Sequence, residues 1–165
     1  MAAITGQKDY VTHPESGLVI SHDGFIDMDG IYDGLKEWYG KKKYDYFEKE
    51  VQIKNKPQGK EIVFSLMGER EIDEYFKFHV DFRMYAIRCN KVKDGYAGWV
   101  RISVFAWVEL DWKGKWQKTP FHRLLFYLYN NFVIKDRIQR FYEGKLYREM
   151  LEAIAIVKSK LKAYD

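Results

Sequence analysis

With 165 residues, 47% hydrophobic and 32% charged, the chain has enough apolar material for one sizeable core and too much for a disordered segment. The formal charge of +4 is unevenly spread: residues 1–40 carry two basic against seven acidic side chains, residues 41–112 fourteen against twelve, and residues 113–165 twelve against five. A single cysteine, Cys89, excludes an intrachain disulfide and a thiolate metal cage. No apolar run approaches the roughly 18 residues of a spanning helix, and Met1 to Thr5 lacks the basic and apolar regions of a secretory signal, so a cytoplasmic location is expected.

Residues 1–24 are rich in turn formers and predict a loosely held arm, with Leu18-Val19-Ile20 as a short edge strand; residues 25–165 are then one domain. Met28, Ile31, Tyr32, Leu35, Trp38 and Tyr39 repeat at helical spacing, with Asp27 placed to cap the start and Gly40 to end the helix. Tyr44 to Ile53 reads as a strand with Phe47, Val51 and Ile53 on one face, Pro57-Gln58-Gly59 as a turn, and Glu61 to Met67 as the returning strand. The charged segment Gly68 to Glu74 predicts a bulge or connection.

Two long alternating runs come next, Tyr75 to Cys89 and Trp99 to Trp112, joined near Asp94-Gly95. Phe76, Phe78, Val80, Phe82, Met84 and Ala86 share one parity of the first, and Val100, Ile102, Val104, Ala106, Val108 and Leu110 one parity of the second. Period two with a single apolar face marks a long hairpin lying on a core. After a turn at Lys113-Gly114-Lys115 and a short strand extension at Trp116, Thr119-Pro120 starts a helix whose buried stripe is expected to be Phe121, Leu124, Leu125, Leu128 and Phe132. Phe126, Tyr127, Tyr129 and Val133 leave that helix apolar on nearly every side. Ile134, Ile138, Phe141, Met150, Ile154, Val157 and Leu161 continue helical spacing, with Gly144 as a break. The predicted fold is α+β: a curved antiparallel sheet of about four to six strands, a short N-terminal helix, and a long C-terminal helical region packed on the sheet.

Little in the chain carries catalytic chemistry. Phe25-Ile26-Asp27-Met28-Asp29-Gly30 resembles the first motif of the haloacid-dehalogenase-type phosphatases, which implies Asp27 as nucleophile and Asp29 as acid/base beside Mg²⁺. The chain continues from there as a meander without that family's late acidic pair, so Asp27 reads as a helix cap and the motif as a decoy. Asp23, Asp27, Asp29 and Asp33 do not match the spacing of a calcium loop, and His13, His22, His79 and His122 are dispersed; no metal or cofactor and no catalytic residue is expected.

The order of early helix, long antiparallel strands and terminal helix resembles the START-like, helix-grip class. Gly24 to Glu50, and Glu109-Leu110-Asp111-Trp112 through Thr119-Pro120-Phe121, are similar to small archaeal proteins of unassigned activity. The first resemblance implies an apolar cavity between sheet and helix. The leading expectation is therefore a non-enzymatic domain holding an apolar or lipid-like molecule among Phe78, Val80, Phe82, Met84, Ile102, Val104, Phe132 and Met150. The alternative is a protein-interaction or dimerisation module using the opposite sheet face, with Arg83, Tyr85, Trp99, Arg101, Phe105 and Trp107, together with the apolar surplus of residues 121–133. A third is RNA or DNA binding by that face and by Lys113, Lys115, Lys118, Arg123, Lys135, Arg137 and Arg140.

Overall fold

A computed structural model of the chain describes residues 8–115, 118–129, 132 and 138–161. It is α+β, with an open antiparallel sheet and three α-helices. The strands are β1 (Lys8–Tyr10), β2 (Leu18–Ile26), β3 (Asp45–Lys56), β4 (Gly59–Glu71), β5 (Phe76–Val92) and β6 (Gly95–Leu110); the helices are α1 (Met28–Lys41), α2 (Pro120–Leu128) and α3 (Gly144–Lys160). A π-helical segment, Ile138–Glu143, leads into α3.

Consecutive hairpins give the order β3-β4-β5-β6, and β6 carries both β2 and β1 on its other edge. Residues 8–26 are thus not a loose arm: β2 pairs with β6 from Leu18↔Val104 to Ile26↔Tyr96, and β1 from Lys8↔Glu109 to Tyr10↔Trp107. Pairing with β6 satisfies the backbone that the turn-rich sequence leaves unassigned. No helix lies at the N-terminal end of the described residues. The helix expected there comes after two strands and is 14 residues long. Asp27 caps it by accepting a 2.9 Å bond from the Gly30 amide, but the helix runs through Gly40 and ends on the Lys42 amide bonding back to Trp38 and Gly40.

The inner face is the predicted one. Phe78, Val80 and Phe82 of β5 meet Val108, Ala106 and Val104 of β6 in register, and all are buried against α1 and α3. From α3, Leu146, Met150, Ala153, Ile154 and Val157 enter the same core, together with Leu161. Two irregularities change what periodicity alone suggests. An extra residue between Glu48 and Glu50 bulges β3, so Phe47 pairs with Met67 on the outer face while Val51 and Ile53 pair with Phe64 and Ile62 on the inner. Gly68 is no connection but a paired residue of β4, opposite Val80 and Tyr46. A Cβ there would collide with the Tyr39 ring, which explains the glycine in the strand.

A buried polar network joins the helices to the sheet. Tyr44 donates to Glu149 at 2.9 Å, Arg70 meets both oxygens of Glu149 at 3.0 and 3.1 Å, and Arg70 also donates to the Lys42 carbonyl at 2.6 Å. Burial first, then the Glu149 carboxylate, pushes the Tyr44 hydroxyl well above the usual phenol range, so it stays protonated and donates.

Two substitutions test this arrangement by urea unfolding. Gly68→Ala is expected to cost about 1–3 kcal/mol, because the Tyr39 ring has no room to retreat. Glu149→Ala should cost about 3 kcal/mol by leaving the Arg70 guanidinium buried and unpaired. Wild-type stability in either variant would contradict the packing described.

Candidate functional site

Seven of the eight side chains expected around an enclosed ligand, Phe78, Val80, Phe82, Met84, Ile102, Val104 and Met150, are at most 1% exposed and belong to one continuous core. They are brought together between the sheet and the helices that cover it. Phe132 is separated from them and stands 75% exposed.

The outer sheet face is less open than alternation suggests. Phe105 and Trp107 are 7% and 8% exposed. The N-terminal segment covers them: Tyr10 lies 5.6 Å from the Trp107 ring, Lys8 sits over it at 5.1 Å, and Gly17 packs on Phe105. His79 stacks on Trp107 at 4.7 Å and donates to Glu109 at 2.7 Å. That hydrogen bond is the main cause holding the Glu109 carboxyl below the usual carboxylate range. Arg83, Tyr85 and Arg101 remain exposed, and Trp99 is half-buried with its ring 6.5 Å from Tyr85.

Asp81 lies between these groups. It is 3% exposed, and Oδ1 finds no partner in the protein. Burial pushes its carboxyl up to about 6 against the partial relief offered by His79 and Arg83. A second raised carboxyl, Glu143, stands where the π-helical segment meets α3; burial and then its hydrogen-bonded neighbour Asp9 of β1 push it up to about 7. This pair clasps the first strand to the start of α3.

The largest apolar exposure is on α2. Thr119 caps the helix through the His122 amide at 3.2 Å and Pro120 occupies its first turn, as the sequence predicts. Its expected buried stripe is not buried: Phe121 is 66% and Leu124 54% exposed, and Leu125 and Leu128 also face outward. Phe126 packs on the core, 6.2 Å from Tyr75, and Tyr129 meets the same ring at 6.4 Å. Lys113 and Lys115 stand before the helix, both on Glu74 at 3.7 and 2.8 Å, and Lys118 and Arg123 are exposed. Trp116, Val133, Ile134, Lys135 and Arg137 lie outside the described residues, as does the side chain of Arg140.

One groove is not among the surfaces that the sequence pattern leads one to expect. Gly30, Gly34 and Trp38 of α1 face Ala155, Ile156 and Ser159 of α3 across an open cleft of about 890 Å³. Its charges cancel largely in pairs, Lys41 with Glu37 and Lys42 with Glu152. The i, i+4 glycines were the available signal. Among the described residues, no group of three His, Cys, Asp or Glu side chains is placed to hold a metal. Asp27 is engaged in capping α1, as its reading as a helix cap requires.

Asp81 supplies a pH test. Its carboxyl titrates near 3.8 when unperturbed and about 6 when folded, so between these values the folded state holds the extra proton. The penalty for ionising it is absent below about pH 4, grows as pH rises towards 6, and is complete above. Asp81→Asn is therefore expected to raise stability by about 2 kcal/mol at about pH 8 and by almost nothing at about pH 4, in paired denaturation curves. A pH-independent difference would remove Asp81 as its source.

No family model, curated protein or solved structure matches the chain, and the functional reading therefore rests on these surfaces.

Proposed function

We propose that the protein is a non-enzymatic binding domain that docks through α2 onto an anionic lipid surface. The exposed apolar and aromatic face of α2 carries this reading. Phe121, Leu124, Tyr127 and Leu128 project from a helix that has no buried residue of its own, and Tyr129 and Phe132 extend the exposed set. Leaving such side chains in water forgoes roughly 1.5–3 kcal/mol each relative to full burial, which favours an occupant.

Charge complementarity selects the kind of occupant. From Lys113 to Ile134 the sequence contains Lys113, Lys115, Lys118 and Arg123 and no acidic residue, and the one carboxylate paired there, Glu74, is shared by Lys113 and Lys115, which leaves the segment net positive. Cationic side chains around an apolar helix rich in rings suit the headgroup and acyl boundary of an anionic bilayer, where each near-surface Lys or Arg contributes about 1 kcal/mol. A two-fold contact between copies would instead place two net-positive segments together. No helix of the described residues is long and apolar enough to cross a membrane, in keeping with docking by contact.

The helix-grip reading rests on the order of elements alone. An apolar ligand between the sheet and α3 would lie among Phe78, Phe82 and Met150, all fully buried, and is the second proposal.

Co-sedimentation with vesicles tests the docking reading. Phosphatidylserine-rich vesicles should retain the protein, neutral phosphatidylcholine vesicles should not, and Phe121→Glu/Leu124→Glu should abolish retention with the thermal midpoint unchanged. Equal recovery from both vesicle types, or undiminished retention of the double variant, would overturn it. So would a dimer in solution that the same variant dissociates, since α2 would then be covered by a second copy.

A further inference from the structure

The outer sheet face carries a second charged feature, remote from α2 in the pairing register. Ser65 of β4, Arg83 of β5 and Ser103 of β6 are in register across the sheet, and so, two residues along, are Val63, Tyr85 and Arg101. Arg83 and Arg101 are therefore diagonal neighbours on one face, a spacing that long side chains bridge. Together with Ser65, Ser103, Tyr85 and Glu50 they line a shallow depression of about 330 Å³.

Arg83 also partly offsets the charge of the buried Asp81. None of the ion pairs found among the described residues includes either guanidinium. The Arg83 guanidinium carbon lies 4.5 Å from the centre of the Phe105 ring, and Phe105 and Arg101 stand on opposite sides of Ser103 along β6, so the two arginines flank Ser103 from opposite sides. Guanidinium and hydroxyl groups are donors of the kind that recognise a tetrahedral oxyanion, and Ser103 and the buried Ser65 line the same depression. Tyr85, 42% exposed, and Trp99 adjoin Arg101 and offer ring surface on the same side. Glu50 is the opposing feature, because its carboxylate lines the depression and repels an anion.

We infer that this face binds a nucleotide, free or within a single strand, with its phosphate held by Arg83 and Arg101 and its base laid against the exposed Tyr85 ring, edge-on to Trp99. Phosphate alone would use only the arginines. The attached aromatic base is what the adjoining rings add. Because the depression is open and contains Glu50, binding is weak and salt-dependent.

Titration followed by tryptophan fluorescence at low salt tests the inference, with adenosine monophosphate, a single-stranded decamer of deoxythymidine and inorganic phosphate as probes. Saturable quenching by the nucleotide or the decamer is expected, and which of the two binds more tightly identifies the source. Arg83→Gln and Arg101→Gln should each weaken it about tenfold, one charge-assisted contact apiece. Glu50→Gln should tighten it, Tyr85→Ala should weaken it, and Phe121→Glu/Leu124→Glu should leave it unchanged. No saturable quenching by either probe, indifference to both arginine variants, or inorganic phosphate binding as tightly as the nucleotide would overturn the inference.

Discussion

Tyr39 is the side chain on which the arrangement of layers depends. Its hydroxyl donates to the Val80 carbonyl at 2.6 Å in the middle of the sheet, and its ring covers Gly68 and stacks on Tyr46 at 5.3 Å. Burial, with Asp81 next, raises its pKa well above the usual range, so the phenol remains a donor. One residue earlier, Trp38 stacks on Tyr44, and Tyr44 reaches Glu149 of α3. Strands β3, β4 and β5 and helices α1 and α3 are thereby joined through neighbouring aromatic side chains and one polar network. The inner face of the sheet is covered by these helices, and its rings are buried.

That burial moves the functional question outward. Rings at 18% of the chain could have lined a cavity, built a core or formed a contact surface. Here they are divided: Tyr39, Tyr44, Phe78 and Phe82 belong to the core, while Phe121, Tyr127 and Phe132 are exposed at and beyond α2. The sheet contributes a second surface through Arg83 and Arg101, and β1 and the segment after it restrict that surface by covering Trp107 and Phe105. The acidic beginning of the chain and its basic end are also brought into contact, at Asp9 and Glu143, by a pair of carboxyls and not by opposite charges.

The sheet was legible where alternation was unbroken. Phe78 to Ala86 and Val100 to Leu110 could be assigned a face from period two alone, and Asp27 and Thr119 could be recognised as caps from residue type and position. Register shifts were not legible, since nothing in Glu48-Lys49-Glu50 announces an extra residue. Leu18-Val19-Ile20 was legible as an edge strand, but β1 and the extension of β2 to Ile26 were hidden because an edge strand needs only one partner and tolerates turn formers. The exposure of α2 was invisible for a different reason: apolar spacing shows which residues seek cover, not whether this chain supplies it. Likewise Arg70 and Glu149 are ordinary charges in sequence, and only the fold buries them together.

Hydrogen exchange with and without phosphatidylserine-rich vesicles tests the central claim, that the interior is closed and binding occurs on α2. The account requires slowed exchange in residues 119–129, with β5 and β6 amides facing the core unchanged. Slowed exchange in β5, β6 and α3 without any change in α2 would contradict it, because the occupant would then lie between the sheet and the last helix.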